Sequence, residues 1–104
     1  MTTMAIVCPP RGHFSPAQAG AIELDIYDAV VHSRFRDQCI VIGRETDAPY
    51  RDVPFHPVPA QGGANKYPHH VIRALREINP GFIEARQHMK TCSAIAHAFP
   101  RTPN

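Results

Sequence analysis

The chain has 104 residues, 43% of them hydrophobic and 19% charged, with a formal net charge of +2. That length carries one small domain with one core, and the composition excludes a disordered protein. The low charge and scattered arginines exclude the electrostatic footprint of a nucleic-acid-binding protein.

Met4-Ala5-Ile6-Val7-Cys8 predicts a buried strand. The run is too short for a signal-peptide core or a membrane span, so no transmembrane segment and a cytosolic chain are expected. Residues 9–19 are rich in Pro, Gly and Ser and predict a loop. It is longer than most strand-to-helix connections, which favours a functional role. Gly20-Ala21-Ile22-Glu23 opens a helix expected over about 20–35. Its apolar stripes are Ile22, Ile26, Ala29 and Val30, and beside them Leu24, Tyr27, Val31 and Phe35. Arg34 and Arg36 fall at its C-terminal end, where cations suit the helix dipole.

Gln38 to Gly43 is an unbroken apolar strand of the kind parallel sheets use. Residues 44–65 are broken by prolines and glycines, with a short edge strand predicted around Val53 to Val58. A second helix is expected from Tyr67 to Ile78, with Pro68 in its first turn and His69-His70 at its start. Asn79-Pro80-Gly81 stops it. Phe82-Ile83-Glu84-Ala85 predicts a strand. Met89 to Phe99 predicts a third helix with Cys92, Ile95, Ala96 and Phe99 on one face.

Strands alternating with helices predict a Rossmann-like α/β domain: a parallel sheet of about four strands with helices on both faces. The chain stops at Pro103-Asn104, where a further strand is due. The pattern therefore predicts the front portion of a larger domain.

Several groups are candidates for chemistry. The loop from Pro9 to Gly20 sits where a helix start offers unpaired N–H groups to a polar or anionic ligand. Neither G-x-G-x-x-G nor a P-loop occurs in it. His13 lies in this loop, a place from which an imidazole could meet a substrate hydroxyl. Glu23 occupies the first helical turn, whereas Asp25 and Asp28 read as solvated. Glu84 is unusual inside an apolar strand, at the end where open α/β sheets place ligands.

Of the seven histidines, His88 and Cys92 lie four apart. His97 falls about 180° round that helix from His88, which excludes a three-ligand zinc site there. No metal is expected. The three cysteines, Cys8, Cys39 and Cys92, lack C-x-x-C spacing and read as buried thiols in a reducing compartment. Ser15 and Ser33 lie outside G-x-S-x-G, and no triad is visible.

Taken in order, His13-Phe14-Ser15-Pro16, Gly20-Ala21-Ile22-Glu23, Ser33-Arg34 and Val41-Ile42-Gly43 resemble the start of GT-B-fold glycosyltransferases of family 4. Asn79-Pro80-Gly81-Phe82-Ile83-Glu84, Thr91 to Ala98 and Phe99-Pro100-Arg101-Thr102-Pro103 extend the resemblance over nearly the whole chain. It implies an N-terminal, acceptor-side domain of a retaining enzyme that moves a sugar from a nucleotide-sugar donor. That donor is a cosubstrate, and no other cofactor is implied. Gly20 matches the glycine whose backbone approaches the donor, His13 the acceptor side, and Glu84 and Arg86 the strand-end positions facing the cleft. Arg86 stands where the family often has histidine, and one glycine stands where it often has two.

The donor-binding domain is not in these residues, so the chain alone is expected to be inactive. The implied partners are a saccharide or lipid-linked acceptor and a chain carrying the donor domain, at a cytoplasmic or membrane-peripheral location. The alternative is a small non-enzymatic α/β binding or regulatory module. A receiver-like module would want acidic residues after the first strand, and none follows Met4–Cys8.

Overall fold

The computed structural model describes residues 4–86 and 88–103. In chain order the elements are β1 (Met4–Val7), α1 (Ala21–Val31), β2 (Cys39–Arg44), β3 (Phe55–Val58), α2 (Gly63–Ile78), β4 (Phe82–Ala85) and α3 (Met89–Ala98). A single 3-10 turn, Arg36–Gln38, precedes β2.

The strands form a four-stranded, all-parallel sheet in the order β3-β2-β1-β4. Met4 is opposite Cys39 on one side and Phe82 on the other, and Val7 is opposite Ile42 and Ala85. The chain builds outward from β1 through β2 to β3, then returns to place β4 on β1's free side. In open α/β sheets such a reversal leaves a crevice beyond the carboxyl ends of the two strands.

The period-two alternation of the strands divides the core into two layers. Ala5, Val7, Ile42, Val58 and Ile83 pack against Tyr67, Val71, Ala74 and Leu75 of α2 and Ile95 of α3. Ile6, Cys8, Cys39 and Val41 face the opposite way, against Ile26 and Val30 of α1. The fold is thus Rossmann-like, with helices on both faces.

Parallel strands are usually joined by a crossover helix, yet residues 45–54 pass from β2 to β3 without one. Aromatic side chains cover the exposed part of that face instead. Phe14 stacks on Phe55 at 5.4 Å and meets Tyr50 edge-on at 4.8 Å, and Tyr50 stacks on Tyr27 at 3.9 Å. Rings of this size bury large apolar areas from a few positions.

Several boundaries differ from the sequence expectation. Helix α1 ends at Val31, not near residue 35. Ser33 Oγ accepts the Phe35 N–H at 3.1 Å, a local turn that competes with helix. Phe35 is therefore exposed, Leu24 and Ala29 also face solvent, and Arg34 and Arg36 lie beyond the helix. Helix α2 begins earlier, at Gly63. Pro68 then sits inside the helix, where it forgoes one backbone hydrogen bond, and His69-His70 lie mid-helix rather than at its start. Helix α3 buries Thr91 and Ile95 and leaves Ala96 exposed. Strand β3 is at the edge, as its prolines require. On the other edge the Ile83 N–H donates to the Pro103 carbonyl at 2.9 Å, so the segment after α3 runs beside β4.

Candidate functional site

The loop leaving β1 is held by side chains at its middle. Phe14 is buried in the aromatic cluster, and its carbonyl accepts the Tyr50 N–H at 3.3 Å. Ser15 is buried behind it. Its Oγ accepts the Ala17 N–H at 3.2 Å and its carbonyl accepts the Ala19 N–H at 2.9 Å. These bonds fold Ser15-Pro16-Ala17 into a tight turn that delivers Gly20 to the head of α1.

Glu23 then does more than complement the dipole. It is only 4% exposed, and its Oε1 accepts the Gly20 N–H at 3.0 Å. This reach-back from the first turn satisfies one of the helix's orphan donors. Gly12 crosses directly over the carboxylate: a β-carbon at that position would lie 2.0 Å from Oε2. Glycine at residue 12 is what lets the loop close on Glu23.

Around this carboxylate is an open depression of about 450 Å³, lined by Arg11, Gly12, His13, Gln18, Gly20 and Glu23 among others. His13 borders it while its Nδ1 shares a 3.3 Å hydrogen bond with Thr46 Oγ1, beyond the end of β2. His13 and Gly20 are therefore brought together, with Glu23 between them. The Gly20 N–H is engaged by the carboxylate and points to no external ligand.

Glu84 and Arg86 form a second cluster at the end of β4. Arg86 Nε donates to Glu84 Oε2 at 2.5 Å, and Nη1 donates to Asp25 Oδ2 of α1 at 3.1 Å. The Arg86 N–H also donates to the Val7 carbonyl at 3.1 Å, which fixes this cluster beside the end of β1. Burial opposes the charge on Arg86, but the hydrogen bonds and charges of Glu84 and Asp25 outweigh it and raise its pKa above the ordinary value. Asp25 is solvated as expected and is an ion-pair partner as well.

Cys8 lies between the two clusters. Burial pushes its thiol up to about 12; the negative charge of Glu23 adds to the shift and Arg86 opposes it. Its backbone carbonyl accepts the Tyr67 hydroxyl at 2.6 Å, tying α2 to the same strand end. Such a thiol is protonated and inert at neutral pH.

His88, considered above with Cys92, serves α3 locally. Its Nδ1 accepts the Thr91 N–H at 3.3 Å and lies 2.6 Å from Thr91 Oγ1. Among the described residues no three His, Cys, Asp or Glu side chains converge as a metal site would require. No helix among those residues is long and apolar enough to cross a membrane.

In comparisons with known proteins, no family model, curated protein or solved structure matches the chain. Sequence reasoning does not reach the role of Gly12, the pairing of Asp25 with Arg86 or the burial of Glu23. Only the Glu23 spacing from Gly20, that of half a capping box, was available as a signal.

Proposed function

We propose that the chain is the acceptor-side half of a GT-B-type glycosyltransferase, binding the hydroxyl-rich acceptor in the crevice between β1 and β4. The observation that carries this reading is the buried Glu23 carboxylate beneath the Gly12–His13 loop, at the point where the strand order reverses. Its negative charge repels phosphate, and the His13 and Gln18 side chains that line the depression offer hydrogen bonds to sugar hydroxyls. The order of sequence motifs supports the same assignment. Arg86, held between Glu84 and Asp25, forms the opposite lip and supplies guanidinium donors to the acceptor. The nucleotide-sugar donor belongs to a second Rossmann-like half, supplied by a partner chain. The complex works at a cytoplasmic or membrane-peripheral site.

The test is an NMR titration of the labelled chain with neutral mono- and disaccharides, and separately with nucleotide sugars. Saccharides are expected to shift the Gly12, His13 and Gly20 amides at millimolar concentration, and His13→Ala to weaken that response. Nucleotide sugars are expected to leave those amides unchanged. A chain that answers to nucleotide sugars there, or to no saccharide at all, overturns the proposal.

A further inference from the structure

A separate cavity of about 460 Å³ opens on the other side of the Pro10–Arg11 segment, walled by Arg11, Arg44, Ala60, Gly63, Ala64 and Tyr67 among others. Arg44 is the last residue of β2. Its Nε is buried and has no hydrogen-bond partner among the described residues. A guanidinium N–H withdrawn from water and left unpaired is costly, so its retention asks for an explanation. Neither Arg44 nor Arg11 belongs to an ion pair among the described residues, where both salt bridges are made by Arg86. Two cations thus border one cavity without a neutralising carboxylate bound to either. Glu45, the next residue after Arg44, directs its Oε2 to the Ala60 N–H at 2.8 Å.

One part of the remaining wall adds to the positive sign. Helix α2 starts there, 16 residues long, with no side-chain cap and no acidic residue in its first turn. The Gly63 N–H donates to the Ala60 carbonyl at 3.2 Å, no side chain caps the helix as Glu23 caps α1, and Lys66 adds a further cation in that turn. Tyr67 contributes a neutral wall. Burial raises its pKa, and its hydroxyl is already committed to the Cys8 carbonyl.

We propose that this cavity binds a phosphate group carried by a small molecule. A tetrahedral dianion accepts hydrogen bonds from two guanidinium groups and from helix N–H groups together. It would also set a negative charge beside the Arg44 guanidinium, whose Nε lacks an acceptor. The volume leaves room for the rest of the ligand beside the phosphate. The inference stands on the cavity and its two arginines and is independent of the glycosyltransferase reading.

The test uses the whole chain, isotopically labelled and titrated with inorganic phosphate while chloride holds the ionic strength constant. Saturable shifts are expected at the Gly63 and Ala64 amides and at the Arg44 Nε–H. The affinity should fall about tenfold or more in Arg11→Ala and in Arg44→Met, the loss expected for a charge-assisted hydrogen bond. If Arg44→Met fails to fold, Arg11→Ala and the wild-type Arg44 Nε signal decide the matter. Glucose 6-phosphate is expected to shift the same signals at lower concentration than phosphate. Vesicles containing phosphatidic acid form the second arm; if they shift the Arg44 signal and glucose 6-phosphate does not, the phosphate is that of a lipid headgroup. Shifts that chloride reproduces, or that Arg11→Ala leaves unchanged, overturn the site.

Discussion

Glu23 and Gly12 are in contact through the absence of a side chain. The Glu23 carboxylate occupies the position that a β-carbon on residue 12 would take, 2.0 Å from Oε2. Gly12→Ala must displace that carboxylate and break its bond to the Gly20 N–H. The expected cost is about 1 kcal/mol, that of a lost helix cap, read from denaturant midpoints. Glu23→Ala removes the same bond, so adding Gly12→Ala to it should cost little more. Full additivity of the two changes would mean that they act separately.

Among the described residues, Tyr67 and the Cys8 carbonyl make the one side-chain bond joining α2 to the end of β1 that is buried at both ends. Tyr67→Phe keeps the ring and strands the carbonyl. We expect a loss of about 1–2 kcal/mol and a fall in Tm of roughly 4–16 °C for a domain of this size. An unchanged Tm would mean that water replaces the hydroxyl at no cost.

The Arg86 cluster should contribute less than its geometry suggests. The side chains of Arg86, Glu84 and Asp25 are 29%, 35% and 70% exposed, so solvent screens both pairings, that to Asp25 more. Asp25→Asn is expected to change stability by less than about 0.5 kcal/mol and Arg86→Met by about 1 kcal/mol. Both effects should shrink in high salt.

The cysteines should separate by accessibility. Cys8 and Cys39 are buried and Cys92 is partly exposed. Iodoacetamide at about pH 8 is expected to label Cys92 in the native chain, with Cys8 and Cys39 reacting only on unfolding, as mass spectrometry would show.

Cys8 also sets an alkaline limit. Its thiol titrates at 9.0 when unperturbed and at about 12 in the fold. The folded state holds the proton more tightly, so this contribution is complete below about pH 9 and is lost as pH rises toward 12. Tyr67, also raised by burial, adds to the same decline. Denaturation midpoints should therefore fall above about pH 9, and less steeply in Cys8→Ala.

Much of the fold was legible because its strands are short apolar runs bounded by breakers. Met4–Cys8 and Gln38–Gly43 needed no tertiary information to be recognised. The misplaced helix ends have local causes. Phe35 continues the apolar period of α1, but the Ser33 turn intervenes first. Pro68 looked like a helix start because proline favours the first turn, yet α2 tolerates it internally. The site was half legible. His13, Gly20 and Glu84 stand out from their places at loop and strand ends, and Arg86 from the family resemblance alone. Their actual partners do not, because the Gly12–Glu23 approach and the Arg86–Asp25 bond depend on how separate segments fold together. In the sequence Arg44 only opens the irregular 44–65 segment, since an unpaired Nε has no sequence signature.

Pro57 gives the two sheet margins different fates. Pro54 and Val58 direct their carbonyls to β2, accepting from Val41 and Glu45, so the intervening position 57 faces outward. Proline there offers no N–H to an incoming chain. At the opposite margin Ile83 faces outward with a real donor, covered by a single bond to Pro103. Intermolecular strand pairing therefore has a polarity in this protein. Edge addition at β3 finds no donor at position 57, whereas addition at β4 must first displace the Pro103 carbonyl from Ile83.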